Sequence, residues 1–113
     1  MVTRLTVTSA VLRGCLIASI VTSTAAFSGN ADAGNFFNGE SLYKQYCQSC
    51  HGNRGQGMIG GAPNFARGQG LMKPDALLYE TIDRGKNAMP AFRGVLKEEE
   101  FYDVITYIRT FYR

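Results

Sequence analysis

The sequence predicts an all-α domain, and three observations carry that prediction. Apolar residues recur at helical spacing near the C-terminus, no segment alternates strictly between apolar and polar, and glycine-rich loops separate the periodic stretches. No internal repeat appears, and 113 residues is one domain's worth of chain. With 13 glycines and no tryptophan, that domain is loop-rich and short of large core side chains.

The chain opens on an export signature. Arg4 and Arg13 supply positive charge with no acidic residue before Asp32, an apolar run follows from Cys15 to Val21, and small residues run from Thr22 to Ala26. This pattern predicts a signal peptide over residues 1–26, with cleavage after Ala26 or, alternatively, after Ala33 in Ala31-Asp32-Ala33. The apolar run falls far short of the roughly 20 residues of a spanning helix. Arg13 and the weak run before it argue against lipidation of Cys15. With no adjacent arginine pair, the expected path is the general secretory route to the periplasm. Residues 27–36 read as a flexible arm and 37–113 as the domain proper.

Removing the signal takes away Cys15, Arg4 and Arg13. The mature chain keeps Cys47 and Cys50, and 10 basic residues face 9 acidic ones, so a formal net charge of +3 falls to +1. A near-neutral domain offers no electrostatic footprint for nucleic acid. About 87 residues remain, a size at which a side-chain core barely offsets chain entropy and a metal or cofactor is often needed. A disulfide between Cys47 and Cys50 would close too small a loop to help much.

The first helix is expected to begin near Asn38 as N-cap, with Glu40 in its first turn, and to run through Leu42, Tyr43 and Tyr46 to Cys47. The second opens at Pro74 and Asp75, where a missing N–H costs nothing, and closes at Gly85. It presents Leu78 and Ile82 one turn apart, with Leu77 and Thr81 widening that face. In the third, Phe101, Val104, Ile105, Ile108 and Phe111 or Tyr112 form a stripe to be buried, while Glu98, Glu99 and Glu100 load its positive N-terminal end. Gly55-Gln56-Gly57-Met58-Ile59-Gly60 matches a dinucleotide fingerprint, but it follows no strand and opens no helix. A glycine-rich loop approaching a bulky flat group is the reading retained. No phosphate-binding G-x-x-x-x-G-K-[ST] occurs.

The chemistry concentrates in Cys47-Gln48-Ser49-Cys50-His51, which contains the sole histidine of the chain. A redox disulfide of thioredoxin type needs a strand leading into the first cysteine, and none is predicted here. Structural zinc needs four Cys or His ligands, and the mature chain holds three such residues. Cys-x-x-Cys-His remains, the attachment signature of c-type haem. Both thiols add to the vinyl groups of the porphyrin, and His51, four residues after Cys47 on one helical face, is delivered to the iron as proximal ligand. A backbone carbonyl near Pro63 is the candidate acceptor for its other ring nitrogen. Among Met58, Met72 and Met89, the sixth ligand is assigned to Met89. Met58 sits too close after His51, and Met72, abutting the second helix, reads as core. The loop after that helix and Pro90 hold Met89 toward the iron.

At these residues the chain resembles the small class I cytochromes c, over about Gly39 to Tyr112. Gly39 and Tyr43 resemble the family's first helix, where a glycine lets the last helix cross closely, and Tyr107 resembles its aromatic partner. The loop ending at Pro63 and the Asn87-Ala88-Met89-Pro90 stretch resemble the loops that supply the acceptor and the distal ligand. Departures are the missing tryptophan, the short chain, and Lys73 and Lys97 where a capping Ser or Thr is frequent. The resemblance implies a helical bundle wrapped around one covalent haem c. It also implies a monomeric, extracytoplasmic one-electron carrier, not an enzyme, that docks briefly at the haem edge with larger redox proteins. A dedicated cytochrome subunit of an oxidoreductase complex is the alternative, and a haem enzyme or gas-binding protein with an open sixth site is the rival from another class. Lysines and arginines at 44, 54, 67, 73, 84, 86 and 93 are candidates to ring the haem edge and steer an acidic partner.

Overall fold

The computed structural model describes residues 34–113, so the predicted signal peptide and residues 27–33 of the arm lie outside the described residues. In chain order these residues form α1 (Phe36–Leu42), a π-helical turn (Tyr43–Cys47), α2 (Gln48–His51), a 3-10 turn (Phe65–Arg67), α3 (Asp75–Arg84) and α4 (Glu98–Arg109). No strand occurs among the described residues, which carry two isolated β-bridges, Lys86 with Met89 and Arg93 with Leu96.

The first helix starts earlier than its sequence suggests. Asn35, not Asn38, is the N-cap: its side-chain oxygen accepts from the backbone N–H groups of Phe37 (3.0 Å) and Asn38 (3.2 Å). Asn38 lies inside the first turn, and its side-chain amide donates to the Asp103 carboxylate of α4 at 2.7 Å, as does the Asn35 backbone N–H. Asn35 and Phe36, expected at the end of the arm, therefore belong to the packed fold. Nor does the helix stop at Cys47. Gln48 N–H reaches back five residues to the Tyr43 carbonyl, one residue wider than an α-turn, and helical geometry then continues to His51.

Packing is organised by the crossing of α1 and α4. A Cβ built on Gly39 would run into the Asp103 carbonyl oxygen and lie 3.1 Å from the Tyr107 Cβ, so only glycine permits the approach. Tyr43 and Tyr107 meet there with ring centroids 5.4 Å apart. The expected stripe of α4 is buried at Phe101, Val104, Ile105 and Ile108, each stabilising the fold by about 1.5–3 kcal/mol. That helix ends at Arg109. Beyond it, Phe111 turns inward against Tyr43 and Tyr112 is exposed. At its other end the Glu100 carboxylate accepts from the Lys97 N–H at 2.8 Å, which satisfies one orphan donor without a capping hydroxyl.

Helix α3 begins after Pro74 and closes at Gly85 as predicted, burying Leu78 and Ile82. Leu77 is exposed, however, and does not widen the apolar face. Arg109 of α4 clamps the segment before α3. It donates to the Leu71 carbonyl (2.6 Å), the Lys73 carbonyl (2.8 Å) and Asp75 Oδ1 (2.9 Å from Nε).

Candidate haem site

Among the described residues, the helices and loops enclose a mostly apolar cavity of about 500 Å³ that Cys47, Ser49, Cys50 and His51 help to line. Cys47 and Cys50 are free thiols, Cys47 buried and Cys50 partly exposed. Burial pushes the Cys47 thiol up to about 12, with Cys50 adding to the shift, so it stays protonated near neutral pH. Thiol–disulfide exchange runs through the thiolate, which weighs against the thioredoxin-like reading. Among the described residues, no three side chains of His, Cys, Asp or Glu converge as a metal cluster.

His51 ends α2 and is buried. Desolvation lowers its pKa, favouring the neutral imidazole that metal coordination requires. The loop that follows is tied back to the helix: Gly57 N–H donates to the His51 carbonyl and Met58 N–H to the Cys50 carbonyl, both at 2.8 Å. Tyr43 Oη, from the π-turn, donates to the Gly52 carbonyl at 2.6 Å. Pro63, the candidate for the acceptor, lines the cavity with His51. His51 Nδ1 is buried and has no hydrogen-bond partner among the described residues. Against the ring lies Phe65, which sequence reasoning missed, stacked with centroids 4.8 Å apart and planes at 14°.

Met89 lines the same cavity, partly buried against the core. Its position follows from a tight turn after α3. Lys86 and Met89 exchange backbone hydrogen bonds of 3.1 and 3.0 Å around Asn87, which takes a left-handed φ of 55°. The other two methionines among the described residues, Met58 and Met72, lie outside this wall. Met58 is 62% exposed and Met72 83% exposed, so the expectation that Met72 is core is overturned. From α4, Val104 and Ile108 complete the apolar lining.

This donor set fits a covalently attached haem: two free thiols at attachment spacing, a buried neutral imidazole with an unpartnered nitrogen, a thioether, and an apolar cleft between them. Gly60 and Gly61 line the same cavity, and a Cβ at either would meet nothing within 4 Å.

Comparison with known proteins agrees. Residues 34–108 match the family described as cytochrome C oxidase, cbb3-type, subunit III. Cytochrome c6 of Nostoc sp. (strain PCC 7120) is 32% identical over 97 residues, covering 82% of this chain and 86% of that protein. Cytochrome c6 of Thermosynechococcus vestitus is 34% identical over 97 residues, covering 81% and 80%. Among solved structures, KustC0563 c-type cytochrome superposes with a TM-score of 0.61 at 31% identity, over 66% of this chain and 98% of that one. Cytochrome c6 from the diatom Phaeodactylum tricornutum superposes with a TM-score of 0.59 at 30% identity, over 68% and 93%. With the cysteines and histidine of the attachment motif lining its cavity, the chain belongs to the small class I c-type cytochromes, which carry one haem c bound covalently through the two cysteines, here Cys47 and Cys50.

Proposed function

We propose that this protein is an extracytoplasmic one-electron carrier, in which His51 and Met89 would hold the iron of its haem c. The observation that carries the reading is the convergence of Cys47, Cys50, His51 and Met89 on one apolar cavity. Haem c supplies a metal centre that accepts and returns one electron. The chain's own residues do the rest: the cysteines anchor, the imidazole and thioether present one nitrogen and one sulfur donor, and the apolar wall excludes water. Such a ligand pair in a dry site favours a high reduction potential.

The rim determines the partner. Of the seven cationic positions singled out in the sequence, Lys73 and Lys86 line the cavity, and no acidic residue does. Lys44, Arg84 and Arg93 are engaged instead by Glu40, Glu80 and Asp83, and Arg54 faces a separate groove beside Phe36 and Tyr107. The carrier docks as a monomer, briefly, through the cavity mouth to larger redox proteins with an acidic face, over an interface below about 1,200 Å². Among the described residues no helix is long and apolar enough to cross a membrane. Delivery to the periplasm by the general secretory route rests on the N-terminal signature over residues 1–26. A second reading, a cytochrome subunit of an oxidoreductase complex, draws on the description of the matched family.

The test is a pyridine haemochrome spectrum with intact-mass analysis of the exported protein. One haem's added mass and a thioether-type haemochrome are expected, with the covalent link lost in Cys47→Ser/Cys50→Ser. A colourless product of unmodified mass overturns the proposal.

A further inference from the structure

The segment that carries Met89 is pinned to the last turn of α3 at both of its ends. Gly85 turns the chain back with a positive φ of 73°, and a Cβ there would lie 2.5 Å from the Met89 carbonyl oxygen and 2.7 Å from the Ala91 nitrogen. The returning chain therefore rests directly on the helix end. Past Pro90, the N–H groups of Phe92 and Arg93 donate to the Ile82 and Asp83 carbonyls, both at 3.1 Å, which satisfies two of the carbonyls a helix end leaves without partners. Asp83 and Arg93 meet again through their side chains. Arg93 Nε donates to the two Asp83 carboxylate oxygens at 3.2 and 3.0 Å, and a second guanidinium nitrogen donates to Oδ2. Such a charge-assisted fork fixes geometry as well as adding energy. Asp83 is the buried half of the pair, while the Arg93 side chain is 68% exposed. Neither residue lines the haem cavity, whereas Lys86, Asn87, Ala88, Met89, Pro90 and Phe92, all between them in the chain, do.

We infer that Asp83 and Arg93 are positioning residues for Met89: their ion pair fastens the strap between them to α3 and so keeps the thioether at the cavity. This rests on the proposed ligand role of Met89. The backbone bonds between Lys86 and Met89 set the shape of the turn, but they do not attach it to the helix. Attachment falls to Phe92 and Arg93, at the end of the strap away from Gly85. Without the fork, two backbone hydrogen bonds are left to hold that end to α3. A strap that lifts more often exposes the position opposite His51 to a competing small ligand, whose apparent affinity rises with the open fraction.

Imidazole titration of the ferric holoprotein, followed through loss of the weak far-red band of sulfur-ligated haem, reads that open fraction. Arg93→Ala is expected to bind imidazole about threefold to tenfold more tightly than wild type. Asp83→Asn is expected to move in the same direction, and Arg93→Lys, which keeps the charge and a donor, to recover most of the difference. Ile105→Val trims a buried side chain outside the cavity lining, so it lowers overall stability and is expected to leave imidazole affinity unchanged. Wild-type affinity in a folded Arg93→Ala or Asp83→Asn overturns the inference. So does a shift of equal size in Ile105→Val, which would tie the effect to overall stability, or an Arg93→Lys no closer to wild type than Arg93→Ala. A wild-type ferric protein that lacks the far-red band overturns the ligand reading instead, and with it this inference, so the two failures are distinguishable.

Discussion

Gly39 lies against Asp103 so closely that any Cβ at position 39 would overlap the Asp103 carbonyl oxygen, which makes the α1–α4 crossing a contact between backbones. Gly39→Ala gains about 1 kcal/mol of helix propensity. Overpacking against an immobile backbone costs about 3 kcal/mol, so the clash wins. Thermal unfolding of the holoprotein should show a net loss of about 2 kcal/mol. Phe37→Ala, at an exposed site on the same helix, should stay within about 0.5 kcal/mol of wild type.

Met89→Leu should abolish the weak far-red band of sulfur-ligated ferric haem, lower the reduction potential and allow cyanide to bind readily. The swap conserves volume, so stability should change by less than about 1.5 kcal/mol, and unfolding does not account for the spectrum. Met58→Leu, at a side chain that is largely exposed, should keep the band. A band that survives Met89→Leu rules out Met89 as the ligand.

Acid sensitivity should depend in part on Asp83. Hydrogen bonds from Arg93, with Nε at 3.0 and 3.2 Å, hold its carboxyl below the usual carboxylate range. Burial opposes the shift, and the charges of Arg93 and Arg84 reinforce it. A carboxyl whose folded pKa lies below its unfolded value of about 3.9 adds stability at higher pH and loses it as pH falls through the folded pKa. Asp83→Asn should therefore be less stable than wild type above about pH 5, with the gap shrinking below pH 4. Denaturant titrations across that range check it, and a gap that widens on acidification contradicts it.

Local signals made α3 and α4 legible. Pro74, Gly85, the three glutamates and the 3.6-residue stripe are each readable within one turn of where they act. The start of α1 was not, because its cap depends on Asp103, 68 residues away from Asn35, and a small polar stretch reads as an arm when that partner is unknown. No spacing rule reveals the π-turn at Tyr43–Cys47 either, since it widens the helix without changing which residues are apolar. The motif singled out Cys47, Cys50 and His51 at once, and the loop chemistry singled out Met89; the structure places all four on one cavity. Phe65 stayed hidden because a three-residue turn carries no periodicity, and a ring stacked on a neighbour looks like any core aromatic. Met72 misled for the opposite reason, as an apolar side chain beside a helix start that points away from the core.

The clamp from Arg109 to Leu71, Lys73 and Asp75 gives the C-terminal helix two duties, since the same helix also seats on Gly39 and supplies Val104 and Ile108 to the cavity. Lifting that helix would therefore break the backbone crossing, the clamp and one wall of the cavity together.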